Sequence, residues 1–188
     1  YNEGDLTEHV VMVVRGIVRL SKEGVGQRLQ IIRLLKPYDT FGYRSAMAGD
    51  SHSTSATALE PTILYYVERD AFLEVIQKNI KFCYAVLVAM SKDLGISETQ
   101  TVNLTQKHIR GRLAETLITL KNTYGLDGDG ATIAMYIARE DLANMSNMTT
   151  SNAIRTLSQF ASEGLISLDG RKIKLLDESE LTRISRLG

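Results

Sequence analysis

The chain has 188 residues, a length that predicts one large or two small domains with packed cores. Its residues are 44% hydrophobic and 23% charged, as in globular proteins, and its apolar runs are too short to cross a bilayer. Its single cysteine, Cys83, excludes an internal disulfide framework and a cysteine-ligated zinc or iron–sulfur site within one chain, and together with the lack of a signal-peptide pattern it predicts a cytoplasmic protein. The formal net charge of zero counts against DNA binding, and the small local excess of basic residues at 137–176 predicts modest non-specific affinity for DNA, with dimerisation supplying the rest.

The first third of the sequence has the pattern of an all-β domain. Short apolar or alternating runs are separated by Gly, Pro and Asp turns, at spacings typical of a sandwich or barrel. The predicted strands are residues 10–14, 17–20, 27–35, 53–59 and 63–67. A short helical or irregular piece is expected at residues 43–48, between the third and fourth of these strands.

A short helix at residues 71–78 and a long helix at residues 80–104 follow. The first half of the long helix is apolar nearly all round, which is typical of a helix buried on two sides. We predict that it packs on the β domain and pairs with a second copy across a two-fold axis. The predicted dimer contacts are Tyr84, Leu87, Met90 and Leu94. A helix that covers only its own domain is the alternative.

The stretch after the long helix predicts one more amphipathic helix, a loop and a short strand. The helix is expected at residues 107–124 and the strand at residues 133–137. The loop at residues 125–130 has the alternating acids of a calcium loop. Leu142 stands near the place where such a loop requires a glutamate, so we interpret the loop as a turn and predict no metal site.

Residues 137–176 have the pattern of a helix, a tight turn, a second helix and a β-hairpin. Asn147, in the turn, is one of the few non-glycine types that tolerates a left-handed backbone, and Thr149 can cap the second helix. Gly164 ends that helix, whose inward face is formed by Ala153, Leu157 and Phe160. The order is typical of a winged helix-turn-helix, in which the second helix enters the major groove of DNA.

The hairpin after the second helix would form the wing. Asp169-Gly170 predicts a two-residue turn, and the strand that returns begins at Arg171. A final helix is expected at residues 178–186.

The polar side chains on the second helix and the wing suit DNA recognition. Arg155 can donate two hydrogen bonds to guanine, and Asn152 can pair with adenine. Others can reach phosphates, which position a protein without reading sequence. The predicted DNA-binding residues are Thr149, Thr150, Ser151, Asn152, Arg155, Arg171 and Lys172. A small helical domain with an ordinary polar face is the alternative.

Several motifs occur in one order along the chain. They are Glu3-Gly4-Asp5, Val14-Arg15-Gly16, Phe41-Gly42, Ser55-Ala56-Thr57-Ala58, Asn103-Leu104, Gly111-Arg112-Leu113-Ala114 and the stretch at 137–176. Together they resemble the CRP/FNR family of bacterial transcription regulators. The resemblance implies an α+β fold: a cyclic-nucleotide-binding-like β-barrel (jelly roll) at 1–78, a dimerisation helix and hinge at 79–105 and a winged helix-turn-helix at 106–188. The family usually has further residues at the N-terminus, so we expect the sequence to be incomplete there.

The same resemblance implies a candidate effector pocket. In family members that bind cyclic AMP, a glutamate after Phe-Gly holds the ribose, and an arginine–serine pair holds the cyclic phosphate. Tyr43 stands at the glutamate position and His52 at the arginine position, whereas Ser53 matches the serine. Loss of the guanidinium predicts weak or no binding of cyclic AMP. The candidate pocket residues are Gly42, Tyr43, Arg44, Ser45, His52, Ser53, Ser97 and Glu98.

Other ligands of the barrel stay open at this point. An unknown small effector and haem are both candidates, although we expect His9, His52 and His108 to be surface or structural residues rather than iron ligands. At the DNA end, Arg155 matches the family's arginine, while Ser151 stands where a glutamate would accept from cytosine. We therefore expect a changed half-site at that base pair.

The leading hypothesis is a homodimeric regulator that reads a palindromic DNA site with the helix at residues 149–162. The barrel would either bind a ligand that controls DNA binding or serve only as a structural scaffold. RNA polymerase is a candidate partner. The alternative is a ligand-binding module of the cyclic-nucleotide type with a protein output, and the departures at Tyr43 and His52 count against it. A cupin-like enzyme would need a metal-ligand cluster, which three scattered histidines do not predict.

Overall fold

The computed structural model describes residues 1–187, which form two compact units, one ending at Glu98 and the other beginning at Thr99. The division falls inside the long helix, and the predicted domain bounds of 1–78, 79–105 and 106–188 stay a prediction. In the described part of the chain, no helix is both long and apolar enough to span a membrane.

The first unit contains six strands in two antiparallel sheets. The strands are β1 His9–Arg15, β2 Val18–Glu23, β3 Leu29–Leu35, β4 Thr40–Phe41, β5 Ser55–Ala58 and β6 Ile63–Glu68. One sheet has the order β4-β1-β6 and the other β3-β2-β5. The third strand begins two residues later than predicted, because Val25–Gln27 form a 3₁₀ turn in which Gln27 has a φ of 59°.

The two sheets share one apolar core, and alternation along β1 explains how. Val11 and Val13 are buried in a cluster that includes residues of the second sheet, whereas Val10 is buried on the opposite face of β1, against helices. Successive side chains of a strand point to opposite faces, so β1 serves both cores. The predicted β domain is confirmed.

Three helices accompany the sheets: α1 Tyr43–Ala48, α2 Arg69–Lys78 and the first part of α3 Ile80–Gln106. Asn79 caps α3, since its Oδ1 accepts from the backbone N–H groups of Lys81 and Phe82. The half-buried face of α3 is formed by Cys83, Val86, Met90 and Asp93. The neighbouring face carries Ile80, Tyr84, Leu87 and Leu94, which are 51% to 80% exposed.

The second unit is built from helices and one hairpin. Its elements are α4 Ile109–Tyr124, α5 Arg139–Met145, α6 Thr150–Ser162, β7 Ile166–Asp169, β8 Lys172–Leu175 and α7 Glu178–Leu187. The largest buried side chains are Leu113, Leu117, Leu120, Ile133, Leu142, Leu157, Phe160, Ile166, Ile173 and Leu181. The amphipathic helix, the helix pair, the hairpin and the final helix are confirmed.

The strand predicted at residues 133–137 is wrong. The chain makes only isolated bridges there, from Ile133 to Leu126 and from Thr132 to Lys174. Met135 and Ile137 are buried and Tyr136 is exposed. The alternation therefore reflects side-chain burial along an extended segment that has no continuous strand beside it.

Candidate DNA-binding surface and effector pocket

The turn between α5 and α6 is tightly held. Asn147 has a φ of 48°, the left-handed conformation that its side chain tolerates. Ser146 and Met148 on either side are buried, and the Ser146 hydroxyl lies 2.8 Å from that of Thr116 on α4. The prediction made for Asn147 from its residue type is confirmed.

Arg112 of α4 braces this turn from below. Its Nε donates to the Ser146 carbonyl at 2.9 Å, and its Nη2 donates to the Asn147 carbonyl at 3.1 Å. Its Nη1 donates to the carbonyls of Leu104 and Lys107, at and just beyond the end of α3. One planar guanidinium thus satisfies carbonyls of the α5–α6 turn and carbonyls at the C-terminal end of α3. Among the side chains, only arginine has the several fixed donors that this requires.

The second helix of the motif, α6, begins at a capped end and turns a polar face outward. The Thr149 hydroxyl accepts from the backbone N–H of Asn152 at 3.2 Å, so the predicted cap is confirmed. Ala153, Thr156, Leu157 and Phe160 are buried. The exposed side chains on α6 are Thr150, Ser151, Ile154, Arg155, Ser158, Gln159 and Ser162.

Two of the predicted base-contacting residues touch each other. Arg155 Nη2 donates to Asn152 Oδ1 at 2.9 Å, one turn back along α6. The contact engages one of the two lone pairs of the amide oxygen that a bidentate pairing with adenine would also use. It also restricts the guanidinium, which is exposed to solvent.

The wing is a tight hairpin whose turn lies one residue later than predicted. Asp169 pairs with Lys172, so Gly170 and Arg171 form the turn, and Arg171 is not a strand residue. Gly170 has a φ of 54°, whereas Arg171 has a negative φ, the arrangement of a type II′ turn with glycine first. The glycine selects this turn, because it adopts the positive φ at no steric cost.

Arg139, the first residue of α5, connects the helix pair to the wing. Its Nη2 donates to the Gly170 carbonyl at 2.7 Å, and its Nη1 is buried without a hydrogen-bond partner among residues 1–187. Burial lowers the pKa of Arg139, although arginine stays charged. On the wing, Arg171 and Lys172 are exposed, and the Lys172 ammonium lies 5.3 Å from the centre of the Tyr136 ring.

In the first unit, the residues predicted as an effector pocket divide into two groups. Tyr43 donates to the Asp93 carboxylate, which also pairs with Arg33 at 2.8 Å. Burial, together with the hydrogen bond to Asp93, raises the pKa of Tyr43 to about 12. The cluster joins β3, α1 and α3, so the tyrosine at the expected ribose position is already engaged by the protein.

The second group lies around His52. The His52 ring is 6% exposed and stacks on Tyr1 with centroids 3.6 Å apart. Burial lowers its pKa. A Cβ on Gly42 would lie 3.0 Å from the His9 carbonyl oxygen and 3.6 Å from His52 Cε1, and with a φ of 82° the position suits only glycine.

Arg44, one of the predicted pocket residues, supplies a cation near the position where the family's arginine is replaced by His52. Its guanidinium donates to the Ser53 hydroxyl, so the structure brings these two residues together. Ser45 is buried in α1, whereas Ser97 and Glu98 are exposed on α3. Within residues 1–187, no group of three or more His, Cys, Asp or Glu side chains is arranged to hold a metal ion.

Sequence reasoning did not single out Arg33, Asp93 and Arg139, which the structure makes prominent, and it named Arg112 only as part of the motif Gly111-Arg112-Leu113-Ala114. Arg112 and Arg139 act on carbonyls more than 30 positions away in the chain, and Asp93 joins residues 50 and 60 positions distant. The sequence did contain one signal for Asp93. It follows Val86 and Met90 at helical spacing, and a lone aspartate on an otherwise apolar helix face indicates a polar partner.

A β-rich domain followed by a capped, braced helix-turn-helix and a hairpin wing defines a DNA-binding transcription regulator. The cyclic nucleotide-binding domain family matches residues 1–79, and the Crp-like helix-turn-helix domain family matches residues 111–184. The chain belongs to the CRP/FNR family of transcription regulators. It is a regulator rather than an enzyme, as are its relatives.

Three similar proteins illustrate this membership. The CRP-like cAMP-activated global transcriptional regulator of Mycobacterium tuberculosis is 22% identical over 99% of this chain and 84% of its own. The nitrogen fixation regulation protein FixK of Azorhizobium caulinodans is 25% identical over 98% of this chain and 74% of its own. The solved structure of FixK2 from Bradyrhizobium japonicum has a TM-score of 0.87 and 26% identity, covering 98% of this chain and 90% of that chain.

Proposed function

We propose that this regulator acts in the cytoplasm as a homodimer that reads a palindromic DNA site with α6, and that it does so without cyclic AMP. The carrying observation is the outward face of α6, where exposed Arg155 and Ser151 stand on a helix whose cap and turn are held by hydrogen bonds. A rigid, preorganised helix loses little entropy on entering the major groove. The wing residues Arg171 and Lys172 would contact phosphates beside it.

The homodimer part rests on α3. Ile80, Tyr84, Leu87 and Leu94 recur at the spacing of a coiled-coil seam and are more than half exposed in one chain. Such an exposed apolar stripe, interrupted only by Ser91 between Leu87 and Leu94, favours pairing with a second copy of the same stripe. Met90, the fourth residue predicted for the dimer, is half-buried at the spacing of Val86 and Asp93 instead.

The effector part rests on the two groups in the first unit. A cyclic nucleotide needs a partner for its ribose and a cation for its phosphate. Tyr43 is bound to Asp93, and the His52 ring is buried against Tyr1, so neither is free to replace the expected glutamate and arginine. Arg44 and Ser53 remain as polar groups for a different small effector. Haem is a weaker candidate, because the His52 ring stacks on Tyr1 with centroids 3.6 Å apart, and iron ligation there would require Tyr1 to move.

The relatives support a DNA-binding output over a module that only binds ligand. FixK is named as a regulation protein, and the Mycobacterium tuberculosis relative as a cAMP-activated regulator. We extend the first role to this chain and not the activation by cyclic AMP. Contact with RNA polymerase is a further part of the proposal, because a regulator that activates genes must reach it.

Selection of duplexes from a randomised DNA pool tests all parts at once. The full chain, purified without ligand, should enrich a palindrome whose half-sites lie about one helical turn apart. Arg155→Ala should relax one base position in each half-site, while Arg186→Ala, an exposed arginine on α7, should leave the selected sequence unchanged.

Three outcomes would contradict the proposal. Enrichment that depends on added cyclic AMP would refute the effector part. A single asymmetric half-site would refute the homodimer. The absence of any enrichment, with and without cell extract, would refute specific DNA recognition.

A further inference from the structure

The outward face of α6 carries one side chain that does not match its neighbours. Ile154 is 49% exposed, although α6 has a complete apolar face of its own in Ala153, Leu157 and Phe160. The structure describes all residues of α5 and α6. Among their large hydrophobic side chains, only that of Ile154 is more than one third exposed. The core does not require an isoleucine here, so its place calls for a different explanation.

Helix geometry places Ile154 on the surface that would face the groove. It follows Ser151 by three residues and Thr150 by four, so it stands one turn above them on the same side of α6. Arg155 is about 100° further around the helix. Ile154 and Arg155 therefore flank the line of Ser151 and Ser158, and both belong to the exposed half of α6.

The major groove offers one apolar group on a base edge, the C5-methyl group of thymine. An isoleucine side chain suits it, because the branched Cβ leaves few χ1 rotamers and little conformational entropy to lose. Serine hydroxyls at positions 151 and 158 cannot distinguish a methyl group from a hydrogen atom by packing. We propose that Ile154 packs against the C5-methyl group of a thymine in the same half-site as the guanine that Arg155 contacts.

This inference rests on the proposed function, and it adds a specificity-determining residue to it. A hydrogen-bonding side chain and an apolar one on adjacent positions would read two base pairs by different chemistry. Thr150 is the competing source of an apolar contact, because its side chain also ends in a methyl group and lies one turn away. The test must therefore separate Ile154 from Thr150.

The experiment uses the half-site obtained by selection. Each thymine in one half-site is replaced in turn by deoxyuridine, which lacks only the C5-methyl group, and the dissociation constant of the full chain is measured. For the wild type we expect a loss of about three- to fivefold at one thymine, the effect of leaving one methyl group unburied. Ile154→Ala should bind the thymine and deoxyuridine duplexes equally, and Ile154→Val should keep most of the difference.

Thr150→Ser separates the two sources, since it removes the competing methyl group and keeps the hydroxyl, and its thymine preference is read as the ratio of the two dissociation constants whatever its overall affinity. It should retain the full thymine preference of the wild type. Thermal unfolding of each variant confirms that α6 still forms. The inference is overturned if deoxyuridine has no effect at any position, if Ile154→Ala keeps the difference, or if Thr150→Ser abolishes it. If the wild type selects no sequence at all, the proposed function fails first, and that result is distinct from these.

Discussion

Asn152 and Arg155 are hydrogen-bonded to each other on the exposed face of α6, with Arg155 Nη2 donating to Asn152 Oδ1 at 2.9 Å. The sequence predicts a separate base for each residue. The contact couples them, because a bidentate pairing with adenine needs the same oxygen as acceptor. We therefore expect Asn152 to position Arg155 rather than to read a base.

Asn152→Ala tests this coupling. Without its partner the Arg155 side chain gains rotamer freedom, so we expect specific DNA affinity to fall by about three- to tenfold, or about 1 kcal/mol. The base preferences of the selected site should stay the same, and Ser158→Ala should change neither. Selection and equilibrium binding measure both quantities. Relaxation of a second base position in the Asn152→Ala variant would show instead that Asn152 reads adenine directly.

Arg112→Ala should destabilise the second unit. The variant removes the guanidinium that donates hydrogen bonds to the carbonyls of Ser146 and Asn147. It also removes the hydrogen bond to the Leu104 carbonyl near the end of α3. Since hydrogen bonds to a charged group contribute more than neutral ones, we expect the free energy of unfolding to fall by about 2–4 kcal/mol. Urea denaturation followed by circular dichroism measures it.

Arg112→Lys should recover little of this loss, because an ammonium cannot reach four carbonyls in one plane. Arg186→Ala on α7 is the control and should leave the unfolding midpoint in place. An Arg112→Ala chain as stable as the wild type would refute the bracing role.

The Tyr43–Asp93 contact predicts a pH dependence. The pKa of Tyr43 is about 12 in the folded protein against 10.0 for an ordinary tyrosine, so the folded state keeps a proton that the unfolded chain loses. Stability from this residue is therefore complete below pH 10 and falls as the pH rises toward 12. Because Tyr43 is half-exposed, solvent screening reduces the effect on the free energy of unfolding to about 1 kcal/mol.

Asp93→Asn isolates the contribution of the carboxylate. It removes the negative charge that opposes ionisation of Tyr43, so we expect the pKa of Tyr43 to fall while burial keeps it above the ordinary value. Carbon NMR of the tyrosine rings follows the titration, with Tyr43→Phe identifying the signal. The prediction is wrong if the pKa of Tyr43 is the same in the wild type and in Asp93→Asn.

A charged residue in the α3 stripe should separate the copies. Leu87→Glu buries a carboxylate wherever two stripes meet, so we expect a monomer in sedimentation and a loss of about 100-fold or more in affinity for the palindrome. Ala89→Glu, exposed on the opposite side of α3, is the matched control and should remain a dimer. If Leu87→Glu sediments as the wild type does, the stripe is not the dimer contact.

Much of the second unit could be predicted from the sequence because its signals are local. Asn147, Thr149 and Gly164 act through their own backbone or through residues at most a few positions away, and the structure places each as expected. The apolar spacing of α6 likewise reports its buried face directly. The same reliance on local pattern produced the error at residues 133–137, where alternate burial occurs without a paired strand.

The candidate sites were determined differently. Residue types and spacing identified Arg155, Tyr43 and His52 as positions of interest, but not what each would touch. Arg112, Asp93 and Arg139 contact their partners only when segments 30 or more residues apart are packed together. The wing turn lies one residue later than predicted because the register of β7 and β8 pairs Asp169 with Lys172. A hydrogen bond depends on distance and direction, which the folded chain supplies, whereas helix periodicity and capping are already present in neighbouring residues.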